Sequence, residues 1–291
     1  MKLLKRLLLA IAVLLVLLIV LSALAYHYAR SLPDFYHEFD WDNGQRARLA
    51  QSALDKLNQT RNLAAEAHNR EARARLAGAT LPGTAITAPI TVSFTEQELN
   101  AFIFHNHEMF AGFRGRYERF VSKPGIFLRD GQLILAAEVK DLGYVLSAHF
   151  APSLNADGRL NLKLLKMRGG RLPLPQALLA SQIKQVREAL GSRLDGWRRQ
   201  AKMGPSGECN ESLVALGMSR LLLAALAGEP AEPVLFMPLE EPLLKSCLPL
   251  RITDLRVDGQ EAALTLELTP MTPEERQAAF QRIVGSPPAG P

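Results

Sequence analysis

The sequence predicts an α+β fold: an N-terminal transmembrane helix, then a curved antiparallel sheet (a meander) packed against long amphipathic helices. Three observations carry that prediction. Residues 7–25 are an unbroken run of nineteen apolar or small residues, interrupted in polarity only by Ser22. Residues 119–167 divide into short apolar segments separated by turn residues, Asp130-Gly131 among them; an Asp-Gly pair between such segments is a strong hairpin signal. Residues 176–200 place Leu179, Ile183, Val186, Leu190, Leu194 and Trp197 three and four apart, the spacing that gives a helix one apolar stripe.

The apolar run is long enough, at about 1.5 Å per residue, to cross the roughly 30 Å hydrocarbon layer of a bilayer. Lys2, Lys5 and Arg6 precede it, while Asp34, Glu38, Asp40 and Asp42 follow Arg30 on its far side. Positive charge stays cytoplasmic. The N-terminus is therefore expected in the cytoplasm, with a single pass through the inner (cytoplasmic) membrane and the main domain in the periplasm. Ala23-Leu24-Ala25 also fits the small-x-small pattern of a signal-peptide cleavage site, so retained anchor and cleaved signal both stand. Tyr26, Tyr28, Phe35, Tyr36, Phe39 and Trp41 follow closely and suggest an interfacial belt of rings, or else a few core aromatics.

A net charge of +5 and a pI near 9.3 make the chain mildly basic. Its cations are interleaved with acids, as in Arg70-Glu71-Ala72-Arg73, and no nucleic-acid module is recognisable. The expected partners are membrane lipid and a protein of the cell envelope. No cofactor is expected. Cys209 and Cys247 are the only cysteines, and in an oxidising compartment such a pair is expected as a disulfide.

The elements follow in order. Residues 1–29 are the anchor or signal segment, and 30–87 a juxtamembrane aromatic segment and a helical stalk, with a helix over 43–77. An extracytoplasmic domain occupies 88–284, with a subdivision conceivable near 205. Residues 285–291 are a Pro/Gly-rich tail expected to be disordered. Within the domain, a strand over 89–94 leads into a helix opened by the capping box Thr95-Glu96-Gln97-Glu98. The meander follows, with Leu133, Leu135, Ala137 and Val139 read as its greasy face and Leu160, Leu162 and Leu164 continuing it. The helix over 176–200 most simply covers that face. A second helix over 209–227 is apolar nearly all round, which predicts deep burial. A strand over 234–237 and a hairpin over 249–269 about Asp258-Gly259 come next, with a bulge at Asp254. Pro273-Glu274-Glu275 opens the last helix.

Thr95 with Glu98-Leu99-Asn100, then Asp130-Gly131, then Gly170-Arg171-Leu172-Pro173-Leu174-Pro175 give an order of motifs that resembles a family of membrane-anchored extracytoplasmic bacterial proteins typified by YpmS. The likeness covers about 90–200. The architecture is also similar, by analogy alone, to tubular (BPI-like) lipid-binding domains, in which a long helix on a curved sheet encloses an apolar groove. These likenesses imply binding of a lipid or another apolar molecule and carry over no catalytic residue.

Chemistry-bearing motifs are sparse. His105-Asn106-His107 with Glu108 could hold zinc only if His149 and a carboxylate came near. Glu96, Glu98, Glu108 and Glu118 could pair as acid and base by number alone. There is no Gly-x-Ser-x-Gly elbow, no Cys-x-x-Cys and no Gly-rich phosphate loop. The chain therefore reads as non-enzymatic, with no metal site. The expected function is a membrane-anchored extracytoplasmic binding module for a lipid or other apolar ligand, lined by Leu133, Leu135, Leu160, Leu162, Leu179, Ile183 and Val186. The alternatives are a closed dry core at those residues and a structural or interaction subunit of an envelope assembly.

Overall fold

The computed structural model describes residues 26–77, 89–105, 121–140, 143–204, 207–238 and 247–285. The apolar run 7–25 and the tail beyond 285 lie outside them. Among the described residues no helix is long and apolar enough to cross a membrane.

The class is α+β, but the strands form two antiparallel sheets where one was expected. Strands β2 (Val121–Arg129), β3 (Gln132–Val139), β4 (Tyr144–Leu154), β5 (Leu160–Gly169) and β6 (Leu172–Pro173) pair in chain order as a meander. Asp130 and Gly131 take φ of 50° and 71°, the left-handed pair that a two-residue hairpin loop requires. The other sheet runs in the order β1 (Ile90–Thr95), β9 (Ala263–Pro270), β8 (Cys247–Asp258), β7 (Val234–Pro238). Ile90 lies opposite Leu268 and Phe94 opposite Leu264, so the first strand finds its partner near the far end of the chain. The register of β8 shifts between Ile252 and Asp254, where the alternation of the sequence breaks.

Helix α1 (Asn43–Leu76) packs on the body through residues 53–64. Its Ala53 and Ala64 are buried against Ile90, Val92, Phe94, Leu250, Ile252 and Leu268, and Leu160 of the meander joins the same core. Small Ala side chains let the helix backbone approach the sheet closely. Residues on both sides of position 205 thus share one core.

Helix α3 (Gln176–Gln200) does not cover the meander. It packs against α4 (Glu211–Ala227), and its Leu194 and Trp197 join Leu213, Leu216 and Ile283 of α5 (Pro273–Gly285) in a second core. The buried face of β3 is Ile134 and Ala136, which lie with Val145 and Phe127 beneath Phe35, Tyr36 and Phe39. The choice of face has a physical reason. β3 reads Leu133-Ile134-Leu135-Ala136-Ala137, apolar on both sides, so alternation does not select one. The rings of 35–39 decide it, because each removes a large apolar area from water. Those three aromatics therefore belong to a core, whereas Tyr26 and Tyr28 are exposed.

Helix α2 (Glu96–His105) ties the layers with buried polar bonds. The Thr95 hydroxyl accepts from the Glu98 amide at 3.2 Å, and the Glu98 carboxylate accepts from the Thr95 amide at 2.9 Å. Asn100 donates to the Ile126 carbonyl and accepts from its amide. Glu96 accepts from the Leu128 amide and from Arg129. At the other end of the meander, the Arg171 amide donates to the Tyr28 carbonyl at 3.0 Å, and the Arg171 guanidinium reaches Asp34. The body is thereby fastened directly to the segment that follows the apolar run.

Candidate functional site

The site is built on α4. Asn210 caps the helix by accepting from the Leu213 amide, and Gly228, in the left-handed conformation, ends it. An all-round apolar helix would be buried throughout. Instead one side is buried through Leu213, Val214, Leu216 and Ala225, while Met218 is 60% and Leu222 46% exposed. Beyond Gly228 the chain folds back through Pro230 and Pro233, pinned where Ala231 bridges Leu160, and enters β7. Between α4, this return and β7 lies a groove of about 1230 Å3, bordered also by the β4–β5 turn, the end of α3 and part of α5. Leu221, Ala224, Leu235, Phe236 and Ile252 give it an apolar lining. Ligand pockets run to about 1,000 Å3, so the groove can take an extended chain. Gly217 sets how near α4 lies to its floor: a Cβ there would stand 2.6 Å from the Phe236 ring.

The rim is charged. Arg159, Arg198, Arg220, Arg251 and Arg282 border the groove, as do Asp157, Asp195, Glu229 and Glu232. Arg282 pairs with Glu232 at 2.8 Å, and Arg251 with Glu275 at 2.9 Å. Arg159 donates to the Pro230 carbonyl. Arg220 donates to the Arg282 carbonyl at 3.0 Å. Burial, and after it the nearby Arg198, push the Arg220 guanidinium below its usual range.

Of the lining residues expected from the sequence, four have described side chains, and they lie in two places. Leu160 is buried and Leu162 packs beside it in the core beneath α1. Leu135 is 43% exposed and Leu133 partly buried, on the side of β3 away from the aromatic rings. Leu179, Ile183 and Val186 lie on α3, but their side chains are outside the described ones. Leu133, Leu135, Leu160 and Leu162 do not line the groove along α4. The signal that could have found it was the ring of leucines on 209–227, read as burial.

Cys209 and Cys247 are both buried, as thiols. Burial and the neighbouring Cys247 push the Cys209 thiol up to about 12. Among the described residues no group of three or more metal-ligating side chains comes together. The His105 side chain and residues 106–108 lie outside them. His149 is committed elsewhere: it is within hydrogen-bond distance of Gln132 and of Ser147, edge-on to Phe35. Burial, then Lys166 and Arg168, lower it to about 4, and Ser147 beside it is buried too. That order of groups resembles a nucleophile and base, but both lie under the aromatic segment, out of a substrate's reach. Glu98 is buried, which alone would raise its pKa. Lys56, Ser52 and the Thr95 amide outweigh that and hold it below the usual carboxylate range. Glu96 is likewise engaged with Arg129.

No family model, no curated protein and no solved structure matches the chain. The likeness to the YpmS-type proteins rests on the motifs quoted above.

Proposed function

We propose that this chain is a membrane-anchored, extracytoplasmic and non-catalytic binding module for a lipid or other apolar ligand, seated in the groove along α4. The observation that carries the reading is the groove itself: about 1230 Å3 lined by Leu221, Ala224, Leu235, Phe236 and Ile252. Removing apolar area from water is worth about 25 cal/mol per Å2, so a chain of a dozen methylenes supplies several kcal/mol before ordering is subtracted.

The position of the groove refines the reading. β5 begins beside it, at Leu160, where Ala231 bridges the strand. β5 ends at Gly169, and the next residue, Gly170, packs on Ala29. Ten residues of strand span roughly 30 Å. With 7–25 in a bilayer, the groove sits about one strand length from the point where the chain emerges.

Native mass spectrometry of the full chain, gently extracted in a neutral detergent, tests this. A co-purifying adduct of lipid mass is expected, lost on changing Ala224→Trp to fill the groove. Apo mass from every preparation, unchanged by added 1-monopalmitoylglycerol, would overturn it.

A further inference from the structure

We infer that the outer edge of β7 takes an extended, uncharged and apolar segment of a partner protein as an added strand; this rests on the groove reading above and names the class of its occupant. In an antiparallel ladder, opposed residues alternate between pairs that exchange bonds and pairs whose polar groups turn outwards. The Ile252 amide donates to the Pro233 carbonyl at 2.7 Å. In the same register Val234 lies opposite Arg251, Leu235 opposite Leu250 and Phe236 opposite Pro249. Leu235 and Met237 are therefore the residues turned towards β8, and the N–H and C=O of Phe236 turn away from it. Pro249, which has no N–H to give, fits that phase. Among the described residues neither polar group of Phe236 has a partner.

The other sheet edges are engaged. On β1, the Lys56 ammonium donates to the Ser93 carbonyl, and the Glu98 carboxylate accepts from the Thr95 amide. On β2, Asn100 takes both polar groups of Ile126, and Glu96 accepts from the Leu128 amide. Beside β6, the Arg171 amide donates to the Tyr28 carbonyl. Proteins cover their edges in this way because a bare one is a template for another chain. β7 ends its four-stranded sheet, and its bare edge opens on the groove. Val234, Leu235 and Phe236 all line that groove, although Leu235 packs against the first core and Phe236 against the second. Successive side chains point to opposite faces, so a void that meets both runs along the edge.

A strand added about 4.8 Å from β7 would put the residue opposite Phe236 on the side of α4, whose Leu221 and Ala224 line the groove. Pro233 and Pro238 bracket β7 without an N–H, so Phe236 fixes the register. The five arginines of the rim are matched by its four acids together with Glu275, the partner of Arg251. A rim so balanced suits a neutral backbone, which brings donors and acceptors in equal number. An acyl chain would fill the apolar space and leave the Phe236 amide unbonded, whereas an added strand satisfies both.

The test titrates the full chain in neutral detergent, by native mass spectrometry, with two probes: an acetylated, amidated heptapeptide of alternating threonine and valine, and 1-monopalmitoylglycerol. The peptide should bind, the monoglyceride should displace it, and hydrogen exchange at the Phe236 amide should slow in the peptide complex. With valines facing α4, the valine amides point at β7 and the threonine amides away from it. N-methylating the valines should therefore weaken binding about tenfold, the scale of a lost hydrogen bond, and N-methylating the threonines should not. Equal affinity of the two methylated forms overturns the strand pairing, as does unaltered exchange at Phe236. A peptide that binds alongside the monoglyceride overturns its placement in the groove. Binding of the monoglyceride without the peptide overturns this inference, makes the occupant a lipid and leaves the groove reading intact. Failure of both probes overturns both.

Discussion

Cys209 and Cys247 face each other across a single antiparallel bridge, each amide donating to the other's carbonyl, at 2.7 and 3.0 Å. Directly opposed residues of this kind have Cα atoms about 5.5 Å apart, inside the range that a disulfide spans. The chain between them contains α4 and β7, two walls of the groove. With its thiol pushed up to about 12, Cys209 is almost wholly protonated at neutral pH and a poor nucleophile. The folded chain should therefore label slowly with iodoacetamide and quickly once unfolded. Incubation with diamide should form the intramolecular bridge, seen by non-reducing peptide mapping, and raise stability by about 2–4 kcal/mol. Two thiols still open to labelling after oxidation and unfolding would show that the pair does not close.

His149 should make stability depend on acid. Its folded pKa is lowered to about 4, against about 6.5 when unfolded. The unfolded chain then binds a proton that the folded chain refuses. The stabilisation is complete above pH 6.5, falls as pH drops from 6.5 towards 4, and levels off below. Its ceiling is about 3 kcal/mol. The Phe35 ring sits edge-on to this imidazole, at 5.3 Å between centroids, so acid should loosen the 35–39 segment first. Denaturant midpoints from pH 7 to pH 4 should show a smaller decline in H149Q than in the unaltered chain. Parallel curves would remove His149 as the cause.

Local signals were legible in the residues, and non-local ones were not. The Thr95–Glu98 box, the Asp130-Gly131 turn and the irregularity before Asp254 are each set by neighbours a few residues apart, and each stands in the structure. That Ile90 pairs with Leu268 is invisible in either segment, because periodicity names a strand and not its partner. The face of β3 was undecidable where both sides are apolar. The groove was hidden for a related reason: leucines all round 209–227 satisfy burial and ligand contact equally well. Its arginines come from positions 159 to 282, which only folding brings to one rim.

Gly217 is where α4 touches the groove floor, and enlarging it should close the site from below. An added methyl would meet the Phe236 ring at 2.6 Å, closer than real Cβ contacts allow, so either the ring turns into the groove or α4 lifts. Overpacking of this kind costs about 1–3 kcal/mol. G217A should lower the thermal midpoint and weaken binding of 1-monopalmitoylglycerol together, whereas G196A, where an added Cβ meets nothing, should do neither. Undiminished binding in G217A would mean that Phe236 is not part of the floor that a ligand touches.

Gly170 carries the join between the body and the segment after the apolar run. Its φ is +58°, and a Cβ there would overlap the Ala29 carbonyl. Left-handed backbone alone disfavours a side chain by about 1–2 kcal/mol, and the overlap adds to it. The simplest relief is for residues 26–34 to lift away, since the sheet beneath is held by the ladder of β4 and β5. Arg171 would then lose its bond to Tyr28 and its pairing with Asp34. G170A in the full chain should be cut by trypsin at Arg30 markedly faster than the unaltered protein. R171A, which deletes only partly exposed polar ties worth at most about 1 kcal/mol, should fall between the two. Equal cutting of all three at Arg30 would mean that the body hangs freely from its leader, and the spacing argued above between the groove and the point where the chain emerges would no longer hold.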